Sequence, residues 1–173
     1  DIRLAGVRVP GENRLPDARS FKDTGKVLAS TRNTCAYAAL GHAVAAFDAA
    51  LTYSKQRIQF GKPLSSFQII QERLTRMLAE ITSMQLICFR IARLTEQGRA
   101  TDTIAGLAKM NNTRKAREVV ASARDLLGGN GILLDLHVMR HMADIEAIHT
   151  FEGTETIQSL IVGRDITGVG AFA

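Results

Sequence analysis

Three short stretches of this 173-residue chain hold side chains able to do chemistry. In Phe151-Glu152-Gly153-Thr154 a carboxylate stands just ahead of a predicted helix. Thr154 is a natural N-cap there, and Glu152 an acid favoured by the helix dipole. The same carboxylate, carried on a peptide between Phe151 and Gly153, could instead be a general base that takes a proton from a weak carbon acid. In Arg57-Ile58-Gln59-Phe60-Gly61-Lys62-Pro63 an arginine ends a helix before a Gly-Pro turn. It can cap helix carbonyls, or clamp a phosphate, whose oxygens a guanidinium matches two at a time. In Asp125-Leu126-Leu127-Gly128-Gly129-Asn130-Gly131 the glycines stop a helix and expose bare backbone on which a flat or phosphorylated ligand can lie. That stretch follows a helix, not a strand, so it is not the dinucleotide fingerprint.

His137 and His141 are spaced like zinc ligands on a helix, but Val138 stands where the metalloprotease pattern needs Glu. No metal site is expected. No serine or cysteine lies in a nucleophile elbow or beside a paired base, so covalent hydrolytic chemistry lacks support.

The elements that must position these residues are helical. A first helix is expected from near Lys26 to the mid-fifties, with Val27, Leu28, Thr31, Cys35, Ala38, Ala45 and Leu51 on one broad face. Gly61 and Pro63 turn the chain, and Ser65 with Gln68 three residues on forms a capping box for the second helix. That helix is the clearest, with Phe67, Ile70, Leu74, Met77, Leu78, Ile81, Met84, Cys88, Ile91 and Leu94 at three-four spacing. Gly98 breaks it, Thr101 or Asp102 caps the third, and the third presents Ile104, Leu107, Met110, Val119, Val120, Ala123, Leu126 and Leu127. Shorter helices are expected near 135–143 and from Thr154 to Ile166. Long rods joined by short turns lie antiparallel, so the predicted fold class is all-α, an up-down bundle. Residues 1–20 differ: Ile2, Leu4, Val7 and Val9 suggest short extended segments at the end of a β region, leaving 21–173 as the helical domain.

Composition excludes several classes. With 46% hydrophobic and 23% charged residues the balance is that of a globular domain, and no apolar run of membrane-spanning length is evident. The net charge of +5 could serve nucleic acid, but lysines and arginines are spread along the helices, aromatics are 5% and Trp is absent. No nucleic-acid partner is expected. Cys35 and Cys88 read as small buried hydrophobes, which suits a reducing compartment.

Taken together in this order, the Arg57 stretch, Gln68, the Asp125–Gly131 stretch and Phe151–Thr154 resemble the C-terminal domain of an acyl-CoA dehydrogenase. The resemblance covers essentially the whole chain, starting from Val9-Pro-Gly-Glu-Asn-Arg-Leu-Pro16, similar to the end of that family's β-domain. Asp125 and the tail Leu160-Ile-Val-Gly-Arg-Asp-Ile-Thr-Gly-Val-Gly-Ala-Phe172 are most similar to the glutaryl-CoA dehydrogenase branch. The resemblance implies a four-helix bundle, FAD as cofactor and an acyl-CoA thioester as substrate. It implies Glu152 as the base that removes the α-proton while hydride leaves the β-carbon, with crotonyl-CoA and carbon dioxide as products from glutaryl-CoA.

It further implies that Arg57 and Gln68 hold FAD, Arg57 reaching the cofactor of a neighbouring subunit, and that Phe60 contacts the flavin. Asp125, Leu126, Leu127, Gly128 and Gly129 would lie along the adenosine part, with Thr154 and Phe172 as further FAD contacts. The segment of Gly25, Leu28, Thr31 and Arg32 would line the CoA and acyl site, as would Phe151 and Gly153. An electron-transfer flavoprotein as acceptor, a tetramer, and a cytoplasmic or, in a eukaryote, mitochondrial-matrix location follow from the same likeness. Two departures stand out: Phe151 replaces the Tyr of typical glutaryl enzymes, and the Arg that would read glutaryl's distal carboxylate is expected outside this chain. A short-chain acyl-CoA dehydrogenase, an acyl-CoA oxidase and a non-catalytic oligomerisation bundle are the alternatives.

Overall fold

The computed structural model describes residues 1–171, with the side chains of all but Phe21, Lys22, Lys26, Ala29 and Ser30. Three long antiparallel helices dominate: α1 (Phe21–Gln56), α2 (Gln68–Glu96) and α3 (Asp102–Leu126). Two shorter ones follow, α4 (Val138–Thr150) and α5 (Glu155–Thr167). The all-α bundle is as expected from the periodicity.

The core is built on small residues. Cys35, Ala39, Ala43, Ala46 and Ala50 form the buried stripe of α1, and Ala105, Ala108, Ala116 and Ala123 that of α3. Small side chains let these two helices approach closely, so α3 sits at the centre and touches every other helix. From α2 come the bulky groups Met77, Ile81, Met84, Ile91 and Leu94, each worth about 1.5–3 kcal/mol when fully buried. Asn112 crosses this packing: its buried amide donates to the Ala36 and Met84 carbonyls and approaches Cys88 Sγ, all at 3.3 Å, tying α1, α2 and α3 together. Cys35 and Cys88 are free and buried, and burial raises both thiol pKa values.

Several expected boundaries shift. Leu64–Ser66 forms a 3-10 turn and α2 begins only at Gln68, so the Ser65–Gln68 capping box does not form. Gln71, one turn later, donates to the Ser65 carbonyl at 3.0 Å instead. The short helix expected at 135–143 begins and ends later, because His137 takes a left-handed conformation (φ 61°) and starts α4 at Val138. Thr101 does cap α3, accepting from the Ile104 N–H at 3.3 Å. Leu107 is exposed and Val27 likewise, because the buried stripes are the alanine faces rather than the large-residue faces. Residues 1–20 contain the 3-10 turn Gly11–Asn13 and bends but no strand; Ile2, Leu4, Val7 and Val9 are exposed, with no partner strand among the described residues to complete a ladder.

Thr31–Gln56 meets the length and apolarity of a membrane span, with mean hydropathy 1.2. Its apolarity comes largely from alanines, and its alanine stripe packs against α3 inside the bundle.

Candidate functional site

Glu152 lies in the tight link between α4 and α5 and is, among the described residues, one of three non-glycine residues with positive φ, at 60°. A left-handed conformation costs an ordinary residue about 1–3 kcal/mol, so the surroundings must hold it. Gly153 follows with φ 92°, and a Cβ there would come within 2.6 Å of Gln158 Nε2. The link turns through two left-handed residues, the second of which must be glycine.

Three residues grip the turn. Thr31, on the first part of α1, donates its hydroxyl to Glu152 Oε2 at 2.8 Å, with the Val27 carbonyl as a second acceptor at 3.0 Å. Gln158, fully buried in the first turns of α5, donates its amide to the Glu152 carbonyl at 2.9 Å and the Gly153 carbonyl at 3.1 Å. Lys109, 1% exposed on α3, donates to the Gly153 carbonyl at 2.5 Å and the His149 carbonyl at 3.3 Å. Burial pushes the Lys109 ammonium below the ordinary lysine value; Cys35 and Glu152 hold it up, and Arg32 pushes it down. Around them, His149 Nδ1 meets the Thr113 hydroxyl at 3.0 Å, and Glu155 approaches His149 and Arg114 at 3.6 and 3.7 Å.

Of the residues expected near the substrate, Thr31, Glu152 and Gly153 are brought together. Phe151 is half exposed beside them, at the C-cap of α4. Gly25 and Leu28 lie on the opening turns of α1, where a Cβ on Gly25 would meet open space. Arg32 faces inward rather than to solvent: it is buried, 3.9 Å from Asp102, and its Nε has no partner among the described residues. Thr154 occupies the N-cap of α5 without a side-chain cap bond.

The remaining candidates gather at the other end of the bundle. Arg57 is exposed at the C-cap of α1, and the chain then forms a hairpin of Ile58–Gln59 with Lys62–Pro63. Phe60 and Gly61 make its two-residue turn with φ 53° and 80°, the both-positive form that hairpins favour. Phe60 is thereby displayed at the tip, 85% exposed, edge-on to Phe67. The Arg57 guanidinium reaches Gln59 at 3.4 Å rather than capping helix carbonyls. Gln68 is exposed at the start of α2. Leu126 and Leu127 are buried, whereas Asp125, Gly128 and Gly129 are exposed, and a Cβ on either glycine would meet nothing within 4 Å. Asn130 donates to the Tyr53 hydroxyl at 2.8 Å, and Arg73 pairs with Asp125 at 3.9 Å, which binds this shelf to the ends of α1 and α2. Phe172 lies outside the described residues.

Arg57 at the C-cap of α1 is separated from Thr31 by most of that helix, roughly 40 Å at 1.5 Å per residue. The carboxylate site and the guanidinium–glycine site are therefore two separate places on one chain. The two exposed glycines and the exposed Arg57, whose guanidinium is bonded only to its neighbour Gln59 among the described residues, leave room for a phosphate-bearing flat cofactor such as FAD to lie on backbone. The acyl-CoA dehydrogenase C-terminal domain model matches residues 21–167. The chain belongs to the acyl-CoA dehydrogenase family.

Among relatives of this acyl-CoA dehydrogenase domain, a probable acyl-CoA dehydrogenase of Bacillus subtilis, YngJ, is 36% identical over 96% of the chain and 44% of its own length. A short-chain-specific acyl-CoA dehydrogenase of Megasphaera elsdenii is 35% identical over 94% of the chain and 43% of its own length. A solved glutaryl-CoA dehydrogenase of Mycobacterium smegmatis in complex with FADH2 superposes with a TM-score of 0.93 at 32% identity, over 98% of this chain and 44% of that one. The chain thus spans less than half the length of these relatives.

Lys109, Gln158 and Asn112 were not singled out by the sequence reading. The signal for two of them is polarity on the alanine face of α3, where Lys109 and Asn112 share the buried stripe with Ala105, Ala108 and Ala116. His141 pairs not with His137 but with His42 of α1, Nδ1 to Nδ1 at 2.8 Å, and Asp144 brings a third ligand atom within 4.8 Å of both. The two imidazoles satisfy each other as a hydrogen-bonded pair.

Proposed function

We propose that the full-length protein is an FAD-dependent acyl-CoA dehydrogenase in which Glu152 removes the α-proton of an acyl-CoA thioester. The observation that carries this reading is the Glu152 carboxylate held beside Thr31 on a left-handed peptide whose carbonyls are gripped from two other helices. A base that must meet a C–H bond at one angle gains from such fixed geometry, because proton transfer from carbon depends on alignment. The Glu152 backbone N–H would hydrogen-bond the thioester carbonyl and stabilise charge developing there as the α-proton leaves. Thr31 can serve both states of the base: its hydroxyl donates to the carboxylate, then accepts from the carboxylic acid while donating to the Val27 carbonyl. FAD, when bound, supplies the hydride acceptor for the β-carbon.

Arg57, Phe60, Gln68 and the Asp125–Gly129 shelf would hold FAD, together with Thr154 and Phe172. Because Arg57 ends α1 roughly 40 Å from Thr31, the α1 partner of Glu152, one cofactor would take Glu152 from one copy and Arg57 from another, which supports a homo-oligomer, the tetramer of the resemblance. Electrons would pass to an electron-transfer flavoprotein.

Within the family we favour glutaryl-CoA as substrate. Asp125, the Leu160–Phe172 tail and the likeness to the Mycobacterium smegmatis enzyme support it. The Megasphaera elsdenii relative and Phe151 favour a short-chain thioester instead. Anaerobic addition of glutaryl-CoA and then butyryl-CoA to the full-length protein separates these readings. Flavin bleaching by glutaryl-CoA with carbon dioxide release is the expected result; bleaching by butyryl-CoA alone moves the substrate to short-chain thioesters, and no bleaching by either contradicts the dehydrogenase reading.

A further inference from the structure

A buried ammonium is costly unless something compensates it. Lys109 is 1% exposed, yet its hydrogen-bond acceptors among the described residues are two backbone carbonyls, His149 and Gly153. Gln158 is fully buried, and it too spends its amide hydrogens on backbone carbonyls, Glu152 and Gly153, while its own Oε1 has no partner among the described residues. Since both neighbours are acceptors, the amide nitrogen must face them, which fixes the side chain's orientation. Space for that amide comes from Gly106 on α3, where a Cβ would lie 3.0 Å from Gln158 Oε1.

Two deeply buried polar side chains from two helices thus converge on the peptide groups of Glu152 and Gly153, two consecutive left-handed residues. Lys109 also caps the C-terminal end of α4 through His149, where unpaired carbonyls concentrate negative charge. Both grips act on the backbone that carries the Glu152 side chain, while Thr31 holds its carboxylate at Oε2.

We propose that Lys109 and Gln158 are positioning residues for catalysis: they clamp the left-handed Glu152–Gly153 peptide and so set the direction in which the base meets the α-carbon of the thioester. This rests on the assignment of Glu152 as base. Neither residue takes part in the proton transfer, and neither is placed to bind the CoA nucleotide. Their loss therefore acts on the rate of the chemical step rather than on substrate affinity.

The test is a double-mutant cycle in the full-length, FAD-loaded protein, with reductive half-reaction rates measured anaerobically on butyryl-CoA and glutaryl-CoA. Lys109→Met is expected to lower the bleaching rate about 100-fold, the scale of a misplaced catalytic group, with the substrate concentration for half-maximal rate changed less than about threefold. Amide hydrogen exchange in 151–155 should quicken while the core of α3 stays protected. In a Glu152→Gln background the same substitution should add less than about twofold, because the clamp then has no base to aim. An unchanged rate in Lys109→Met, or a loss that multiplies undiminished in the Glu152→Gln background, overturns the proposal. Should Lys109→Met fail to fold, Gln158→Met is judged by the same two criteria. If Glu152→Gln itself bleaches at the parent rate, the base assignment falls and the clamp with it; if Glu152→Gln is inert and Lys109→Met normal, only the clamp falls.

Discussion

Thr31 and Glu152, 121 residues apart, meet through a 2.8 Å hydrogen bond that joins the start of α1 to the α4–α5 turn. Thr31 is also within 3.0 Å of the Val27 carbonyl, and a hydroxyl has a single proton to give. Replacing it tests whether that proton matters. Thr31→Val keeps the branched shape and removes the hydroxyl, so turnover of the full-length protein should fall about tenfold, corresponding to about 1.4 kcal/mol. Thr31→Ser should retain most of the rate. Stopped-flow bleaching of the two variants, with melting temperature as the check on folding, measures this; equal rates in Thr31→Val and the parent would remove Thr31 from the account.

The Gly-Gly-Asn-Gly run contains glycines of two kinds. A Cβ at Gly131 would lie 2.1 Å from the Arg124 carbonyl oxygen, whereas one at Gly129 meets nothing. Gly131→Ala should therefore cost about 3 kcal/mol or more, and Gly129→Ala no more than about 0.5 kcal/mol. Denaturant unfolding of both variants without added cofactor decides it, and comparable losses would contradict the packing described.

Acid should weaken the fold through two histidines. Burial pushes the His141 imidazole below its ordinary value, followed by the neighbouring His42 and Arg140, with Asp144 opposing; burial and then Arg117 do the same to His149. Folded-state values below the unfolded value of about 6.5 mean that the unfolded chain binds more protons in the window between them. The stability these groups contribute is complete above about pH 6.5 and is lost as pH falls from there towards the folded values. A series of melting temperatures from pH 7.5 to 5.0 should decline, and less steeply in His141→Asn; identical slopes would exclude His141 as a contributor.

What the sequence made legible follows from how each feature is encoded. α2 was readable because Met77, Ile81, Met84, Cys88, Ile91 and Leu94 are large and recur at helical spacing. The true faces of α1 and α3 were not, because alanine carries little hydrophobic contrast, and the pattern of larger residues such as Val27 and Leu107 points to faces that this chain leaves exposed. The Ser65–Gln68 capping box was legible but absent, since a 3-10 turn absorbs those residues before α2 begins. Glu152 could be found from the order of motifs, yet its grips could not: Lys109 and Gln158 hold backbone carbonyls, and a carbonyl has no residue type to signal its partner. The pairing of His42 with His141, like that of Thr31 with Glu152, was not legible, because the partners are far apart in sequence and joined only by the packing of α1 on the C-terminal half.

Whether Glu152 is the base is decided by Glu152→Gln in the full-length protein under anaerobic conditions. Glutamine keeps the side chain's size and the left-handed peptide but cannot accept the α-proton. Retained FAD, an unchanged melting temperature and flavin bleaching slowed by at least about 1,000-fold, about 4 kcal/mol of barrier, are expected. Bleaching at the parent rate, with FAD bound and the fold intact, would contradict this assignment of the base.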